Sequence, residues 1–482
     1  MIINGYEYIP REQRKHILLL SDDLRMSSGV GTASRTFVMG TAHRFNWFQL
    51  GTAINHPEMG KRFDLSQDLN NRLGITDAQV MVQPHNNYGD PDLIRMLLHE
   101  FKFDAIMHFT DPRQWLWLYN MEHEIRLQMP IFFYHVWDNL PYPEYNKTYY
   151  QSCDWIACIS KQTENIVKNV WNEFGPEDWQ VTYIPHGIDE KEYYPTTELE
   201  PGLNREVEGH IKTDYDMMLD MKKKIFGENE FDFIVFYNNR NIRRKSPSDI
   251  ILAFVELLKS LPKEKADKCA LLMHTHVVDF NGTDLNEVRN MVGRGWERNI
   301  HFHETKVNPI ELNYLYNMSD ITINIAAAEG FGLSTAESLM AGVPILATVT
   351  GGLQDQMGFK DENGKYIKFT KDFGSNHDGK IKGTHGEWVF PIFPAARSLV
   401  GSPPTPYIFD DRVRWEDTGI LLREIYDLGK DELRRRGLEG RKFVLKEEVG
   451  MSASNMCNRF ITGMEKAWEK WKPRNRYSII KF

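Results

Sequence analysis

A chain of 482 residues, 41% hydrophobic and 26% charged, is too long for one hydrophobic core and has the composition of a soluble enzyme with two α/β domains. Its formal net charge of −9 argues against a general affinity for nucleic acid or for an anionic membrane. The four cysteines have no Cys-x-x-Cys spacing, and neither an apolar leader nor an apolar run of membrane-spanning length is present. We therefore expect reduced thiols, a cytoplasmic location and no stable membrane insertion, with the oligomeric state left open.

The N-terminal part of the sequence predicts strands that alternate with helices. Residues 16–20 predict a strand, and a turn that contains Gly29 and Gly31 leads from it into a helix. Because such a corner turns helix amides towards an anion, the two glycines are candidate anion-binding residues; a plain tight turn is the alternative. The apolar strand at 130–138 carries His135, which is either a catalytic candidate or a core histidine.

Beyond a polar stretch at 194–227, the chain predicts a second series of strands and helices. The Asp-x-Asp at Asp214 in that stretch predicts solvated surface rather than a metal site. A strand at 231–237 leads into a basic turn with Arg240 and Lys245, two cations suited to an anionic ligand; a basic surface patch is the alternative. The histidines near 274 and 301 lack partners at ligand spacing, so no metal site is expected.

Residues 321–352 predict a strand, a glycine loop, a helix and a second strand, which together make one unit of a parallel sheet. Glu329 lies in the loop and Glu337 in the first helical turn, so both carboxylates are expected to face one crevice. The alternatives are a solvated loop carboxylate for Glu329 and a capping box between Ser334 and Glu337.

The string EGFGLSTAESLMAGVP in this stretch resembles the signature of retaining glycosyltransferases of GT-B fold, family four, also described as glycosyl transferases group 1. The resemblance implies two Rossmann-like domains that face each other across a cleft, with a C-terminal helix crossing back to the first domain. It implies catalytic roles for His135, Glu329, Arg240 and Lys245, with the histidine beside the transferred sugar. The donor-binding residues that it implies are Gly29, Gly31, Arg240, Lys245, Glu329, Gly330, Phe331, Gly332, Leu333 and Glu337.

The expected domains are an acceptor-side domain at 1–190 that is completed by residues 451–482, a linker at 191–227 and a nucleotide-sugar domain at 228–450. Three positions depart from the resembled family: His186 replaces an asparagine, and Asn239 and Ser246 replace glycines. Residues 358–406 contain few periodic runs and are expected to form an acceptor-related flap.

The resemblance implies a retaining, metal-independent transferase that needs no cofactor and moves a hexose from a nucleotide-diphosphate sugar, with a UDP-sugar as the first expected donor. The expected acceptor is a hydroxyl group on a glycan or other polymer. One alternative is a DNA-modifying enzyme that acts on hydroxymethylated bases, of the kind that large DNA bacteriophages encode and that would work in the host cytoplasm. The other is a non-catalytic protein that binds nucleotide sugars.

Overall fold

The computed structural model describes residues 1–3, 5–52, 56–171, 173–207, 209–367 and 384–474. In its N-terminal part the strands are β1 (Ile2–Ile3), β2 (Tyr6–Glu7), β3 (Lys15–Asp22), β4 (Phe45–Thr52), β5 (Phe63–Asp64), β6 (Val80–Pro84), β7 (Ala105–Phe109), β8 (Ile131–His135), β9 (Trp155–Cys158) and β10 (Val181–Tyr183). β1 and β2 pair with each other, and the others form one sheet in the order β10-β9-β8-β7-β3-β4-β6-β5. Every neighbouring pair in that sheet is parallel except β5 with β6.

Every residue of β4 and of β7 is buried, because helices cover both faces of this first sheet. The helices are α1 (Gly29–Thr41), α2 (Ser66–Leu73), α3 (Pro91–Glu100), α4 (Leu116–Asn120), α5 (Glu122–Ile125), α6 (Lys147–Gln151) and α7 (Lys161–Val170). The strand order reverses between β3 and β7. The loops that follow these two strands therefore flank a crevice at the carboxyl edge of the sheet.

The expected linker at 191–227 is largely folded. It contains an antiparallel hairpin, β11 (Asn204–Val207) and β12 (His210–Thr213), followed by α8 (Asp214–Phe226). Asp216 accepts a hydrogen bond from the Thr213 amide at 2.9 Å and completes a capping box for α8. Asp214 has no exposed surface and accepts a hydrogen bond from the Tyr314 hydroxyl at 2.6 Å. The prediction of solvated surface was therefore wrong for Asp214.

The second sheet has six parallel strands in the order β15-β14-β13-β16-β17-β18. Its elements are β13 (Phe233–Asn238), α9 (Pro247–Ser260), α10 (Lys263–Ala266), β14 (Cys269–His274), α11 (Leu285–Val292), β15 (Ile300–His303), α12 (Pro309–Asn317), β16 (Ile321–Asn324), α13 (Leu333–Met340), β17 (Ile345–Thr348) and β18 (Val389–Ile392). The order reverses between β13 and β16. The loops that leave these strands, at 239–246 and 325–332, therefore border the crevice of the second sheet.

A hairpin of β19 (Ala396–Ser402) and β20 (Thr405–Arg412) extends from the second domain to the first. The Phe409 amide donates to the Leu140 carbonyl at 2.6 Å, and the Asn139 side-chain amide donates to the Phe409 carbonyl at 2.9 Å. The flap expected at 358–406 thus includes β18 and most of this hairpin, while its residues 368–383 lie outside the described ranges.

The chain ends with α14 (Trp415–Leu428), α15 (Lys430–Val444) and α16 (Ala453–Lys470), and α16 crosses back to the first domain. The rings of Phe460 and Phe37 lie 4.7 Å apart, and the Trp468 indole donates to the Asp104 carbonyl at 3.0 Å. The predicted architecture of two α/β domains joined by a returning C-terminal helix is confirmed. The precise domain limits stay a prediction. Across the described ranges, each helix is too short or too polar to pass through a lipid bilayer.

Candidate active site in the interdomain cleft

Residues 329–332 connect β16 to α13 at the crevice of the second sheet. Gly332 has a φ of +87°, which glycine adopts without strain, and α13 begins there without a side-chain cap. The amides of the first helical turn therefore remain available to a ligand, at the positive end of the helix dipole. This brings Glu329, Gly330, Phe331, Gly332 and Leu333 to a corner that is suited to an anion, and their role in donor binding stays a prediction.

A 3-10 helix at Gly351–Gln356 holds this loop from behind. The Gly352 amide donates to the Glu329 carbonyl at 2.9 Å, and the Gln356 side-chain amide donates to the Phe331 carbonyl at 2.7 Å. A Cβ atom on Gly351 would lie 2.1 Å from the Glu329 carbonyl oxygen. Glycine at 351 is thus required for this approach, and the loop backbone is fixed before any ligand binds.

Lys245 forms an ion pair with Glu329, although the two residues are 84 positions apart in the chain. The Lys245 residue is 6% exposed and the Glu329 residue 8% exposed, so both charges are largely removed from water. Glu329 is therefore not the solvated loop carboxylate of the alternative interpretation, and Lys245 is not part of a basic surface patch. The pair places one cation and one carboxylate in the crevice.

Arg244, the neighbour of Lys245 in the chain, joins the turn that carries both residues to the glycine loop by hydrogen bonds. The Arg244 guanidinium donates to the Ala328 carbonyl at 2.6 Å, and the Ala327 amide donates to the Arg244 carbonyl at 2.8 Å. Ser246 follows with a φ of +50°, in the left-handed region where glycine is favoured. The serine at 246 therefore keeps the backbone path that a glycine would take.

Arg240 lies apart from Lys245. Its guanidinium pairs with Asp279 at 2.7 Å, and its side chain is 58% exposed. The structure thus separates the two cations that were expected to hold one diphosphate, and it puts Arg244 rather than Arg240 next to the Lys245–Glu329 pair. A role for Arg240 at the diphosphate stays a prediction that requires it to leave Asp279.

Glu337 faces a cavity of about 460 Å³ between α13, α1 and the segment at 187–193. The Tyr316 hydroxyl donates to its carboxylate at 2.7 Å. Burial raises the pKa of Glu337 to about 7, although the hydrogen bond from Tyr316 acts in the opposite direction. Since α13 has no side-chain cap, the capping box between Ser334 and Glu337 was wrong, and this carboxylate is available to a ligand in the cavity.

The glycine turn of the first domain meets α13 across the cleft. A Cβ atom on Gly29 would lie 3.3 Å from the Leu333 Cδ1 atom, and one on Gly31 would lie 2.9 Å from the Asp23 carbonyl oxygen. The Ser28 hydroxyl accepts a hydrogen bond from the Gly31 amide at 3.0 Å and caps α1. Gly29 therefore lies where the two domains approach each other, whereas Gly31 allows close packing within the first domain.

His135 is not among the residues that reach the cleft. Its side chain is fully buried, its Nε2 atom lies 3.0 Å from the Tyr150 hydroxyl, and burial lowers its pKa to about 3. Asp138, three residues further on, borders the cleft instead: its Oδ2 atom would lie 3.9 Å from a Cβ atom on Gly330. The role of His135 beside the sugar stays a prediction, and in the structure Asp138 rather than His135 lies near the glycine loop.

His186, the departure from the resembled family, has a packing role. Its Nδ1 atom lies 2.7 Å from the Tyr134 hydroxyl, and its ring lies 5.1 Å from the ring of Phe331. Burial lowers the pKa of His186 to about 3, so the ring is neutral at pH 7. A neutral histidine thus joins the first domain to the glycine loop of the second.

Sequence reasoning missed Arg244, Asp138, Tyr316 and Asp355. Asp355 accepts a hydrogen bond from the Lys161 amide at 2.9 Å across the domain interface, and burial raises its pKa to about 6. Arg244 and Asp138 each carried a local signal, since one is next to Lys245 and the other ends a buried strand. The position of Tyr316 on α12 offered no comparable signal.

Comparisons with known proteins agree with this fold. Residues 220–372 match the family model described as Glycosyl transferases group 1. No curated protein matches the chain.

Three solved structures similar to this chain have TM-scores of 0.60 or 0.61. Anabaena Alr3699/HepE in complex with UDP and glucose is 11% identical, with 94% of this chain and 100% of that chain covered. Sucrose-phosphate synthase from Thermosynechococcus elongatus is 14% identical, with coverage of 95% and 100%. A structure described as trehalose-6-phosphate from E. coli bound with UDP-2-fluoro glucose is 12% identical, with the same coverage. Residues 220–372 are therefore a glycosyl transferases group 1 domain, within a chain that has the GT-B fold of glycosyltransferases.

Proposed function

We propose that this protein is a retaining, metal-independent glycosyltransferase that moves a hexose from a nucleotide-diphosphate sugar, with UDP-glucose as the first candidate donor, to a hydroxyl group. The observation that carries the proposal is the meeting of Lys245 and Glu329 beside the uncapped amino end of α13. That arrangement offers a cation and free amides to a diphosphate. It also offers a carboxylate to the hydroxyl groups of a sugar. The similar structures that contain UDP, or a UDP-sugar, support the choice of donor.

In this proposal the donor diphosphate lies against Lys245 and the first amides of α13. Both groups oppose the negative charge that grows on the diphosphate as the bond to the sugar breaks, so they stabilise the transition state more than the bound donor. A cation and a helix terminus supply this charge without a divalent metal. Arg240 joins them if donor binding draws it away from Asp279.

The two glutamates take different parts of the donor. Glu337 accepts hydrogen bonds from the ribose hydroxyls, in the cavity that it lines. When the diphosphate draws Lys245 towards itself, the Glu329 carboxylate becomes available to the hydroxyls of the sugar, together with the amides after Phe331. Each carboxylate therefore binds a different part of an extended nucleotide sugar.

The anomeric configuration of the sugar is retained if the acceptor hydroxyl attacks on the face that the leaving diphosphate occupies. The acceptor oxygen bonds to the anomeric carbon, the bond from that carbon to the phosphate oxygen breaks, and the diphosphate takes the hydroxyl proton. Asp138 lies near the sugar position, on the first-domain side of the cleft. It can orient the hydroxyl, and the step needs no separate enzymatic nucleophile.

The test is a donor screen with the full chain in the presence of EDTA. UDP-, GDP- and ADP-glucose are supplied in turn, nucleotide release is followed with and without glycans, sugar phosphates and hydroxymethylated DNA, and the product anomer is read by NMR. We expect release of UDP that one acceptor class accelerates, with the anomeric configuration of the donor kept in the product. Donor binding without any release would favour a non-catalytic protein, and an inverted product would contradict same-face attack.

A further inference from the structure

A second cavity, of about 550 Å³, opens at the turn that precedes Lys245. Its walls come from residues 136–139 after β8, from Arg243 and Arg244, and from the β19–β20 hairpin. The volume is in the range of small-molecule sites and holds a monosaccharide with a substituent. It is too small for a DNA duplex.

This cavity lies near the glycine loop that holds the sugar in the proposed function. The Asp411 amide of β20 donates to the Ala327 carbonyl at 3.0 Å, so the base of the hairpin is fixed two residues before Glu329. Asp138 lines the cavity and also lies next to Gly330. A molecule in the cavity would therefore present its inner end to the transferred sugar.

The charges that line the cavity leave guanidinium groups without carboxylate partners. Arg113 pairs with Asp111, and Arg412 contacts Asp410 at 3.4 Å. Arg244, by contrast, donates to a backbone carbonyl.

Arg243 is exposed, and no side-chain hydrogen bond or ion pair joins it to any residue in the described ranges. Planar guanidinium groups match the oxygen atoms of phosphate, and an unpaired one does not first have to leave a carboxylate. Among the described residues that line the cavity, Arg243 thus has a guanidinium that is free to bind an anion.

We infer that this cavity is the acceptor site and that its acceptor is a phosphorylated sugar. The phosphate contacts Arg243, and a hydroxyl elsewhere on the acceptor points to the sugar held at Glu329. The inference depends on the proposed function, because it names the acceptor for the same transfer. That hydroxyl oxygen forms the new bond to the anomeric carbon, and its proton goes to the leaving diphosphate.

The experiment is calorimetry on the full chain saturated with UDP, titrated with glucose and with glucose 6-phosphate, two probes that differ only in the phosphate. We expect glucose 6-phosphate to bind at least about tenfold more tightly than glucose, since charge-assisted contacts are worth about a factor of ten or more. Equal affinity for the two probes would overturn the inference. So would the absence of binding by either probe.

Arg243→Gln should reduce this preference to less than about threefold, as the charge-assisted contact with the phosphate is lost. Arg294→Gln is the matched control: it removes an exposed arginine of the same domain that lies outside the cavity, and the preference should stay as in the wild type. A preference that survives Arg243→Gln would also overturn the inference.

The titration separates failure of the inference from failure of the proposed function. If UDP binds but no phosphate preference appears, the acceptor assignment is wrong and the donor site stands. If UDP itself does not bind, the proposed function is contradicted. Acceleration of UDP release by hydroxymethylated DNA, with neither sugar bound, would replace the small acceptor with a polymer.

Discussion

The buried Lys245–Glu329 pair makes a quantitative prediction about stability. Because the two residues are only 6% and 8% exposed, removing one charge leaves the other buried without a partner. Breaking a buried pair in this way costs about 3–5 kcal/mol, whereas replacing both partners by neutral residues of similar size is close to neutral. We therefore expect Lys245→Met and Glu329→Gln each to lower the free energy of unfolding by about 3 kcal/mol or more, and the double variant to recover most of that loss.

Equilibrium urea unfolding of the four proteins measures the coupling between the two residues. Lys259→Met is the matched control, since Lys259 belongs to an exposed ion pair with Glu256 at 2.7 Å and should change stability little. A Lys245→Met variant as stable as the wild type would refute the claim that Lys245 and Glu329 form a buried ion pair. So would a double variant that loses the sum of the two single effects.

Catalysis should behave differently from stability in the same variants. Lys245 is proposed to oppose charge that develops on the diphosphate, and the loss of such a group lowers kcat by about 10²–10³-fold. The second substitution restores stability but not this contact. The double variant should therefore be folded and inactive, which separates a catalytic role from a structural one.

Three further predictions concern the rest of the cleft. With the pKa of Glu337 at about 7, UDP affinity should increase as pH rises from 6 to 8 because the ionised carboxylate accepts ribose hydrogen bonds; Glu337→Gln should flatten this dependence in calorimetry, and an unchanged profile would count against the ribose contact. Gly330→Ala would bring a Cβ atom within 2.9 Å of the Ile159 Cδ1 atom, so we expect weaker domain closure and a lower kcat/KM for the donor, and a kcat/KM equal to that of the wild type would refute the close approach. Arg240→Gln should leave the Tm nearly unchanged, since the Arg240 side chain is 58% exposed and Asp279 keeps its hydrogen bond from the Asn281 amide, yet lower kcat/KM by about tenfold if donor binding recruits the guanidinium; unchanged steady-state kinetics would exclude that recruitment.

Local patterns in the sequence predicted the elements that depend on neighbouring residues. The glycine loop at 329–332 was predictable because a buried strand, two glycines and a short helix follow one another within a few positions. The crevice was predictable for the same reason, since a parallel sheet puts the loops after β13 and β16 at one edge. The prediction of the returning helix α16 came from the resemblance to the family.

Contacts between distant parts of the chain were harder to predict from the sequence. No local pattern reports that Tyr314 would bury Asp214, or that Asp279 would hold Arg240 away from Lys245. The burial of His135 depends on Tyr150, which α6 carries from beyond the end of the strand. These are pairings of side chains that only the assembled domains bring together, so the sequence indicated the residue types of the site better than their partners.

The most direct test of the account compares UDP release from UDP-glucose, with EDTA present, by the wild type and by the Lys245→Met/Glu329→Gln double variant. The account predicts release by the wild type, acceleration by an acceptor, and a loss of at least about 100-fold in a double variant that unfolds at a similar urea concentration. Equal rates of release by the two folded proteins would contradict the assignment of this pair to the reaction. No release by the wild type from any nucleotide sugar would contradict the proposed activity itself.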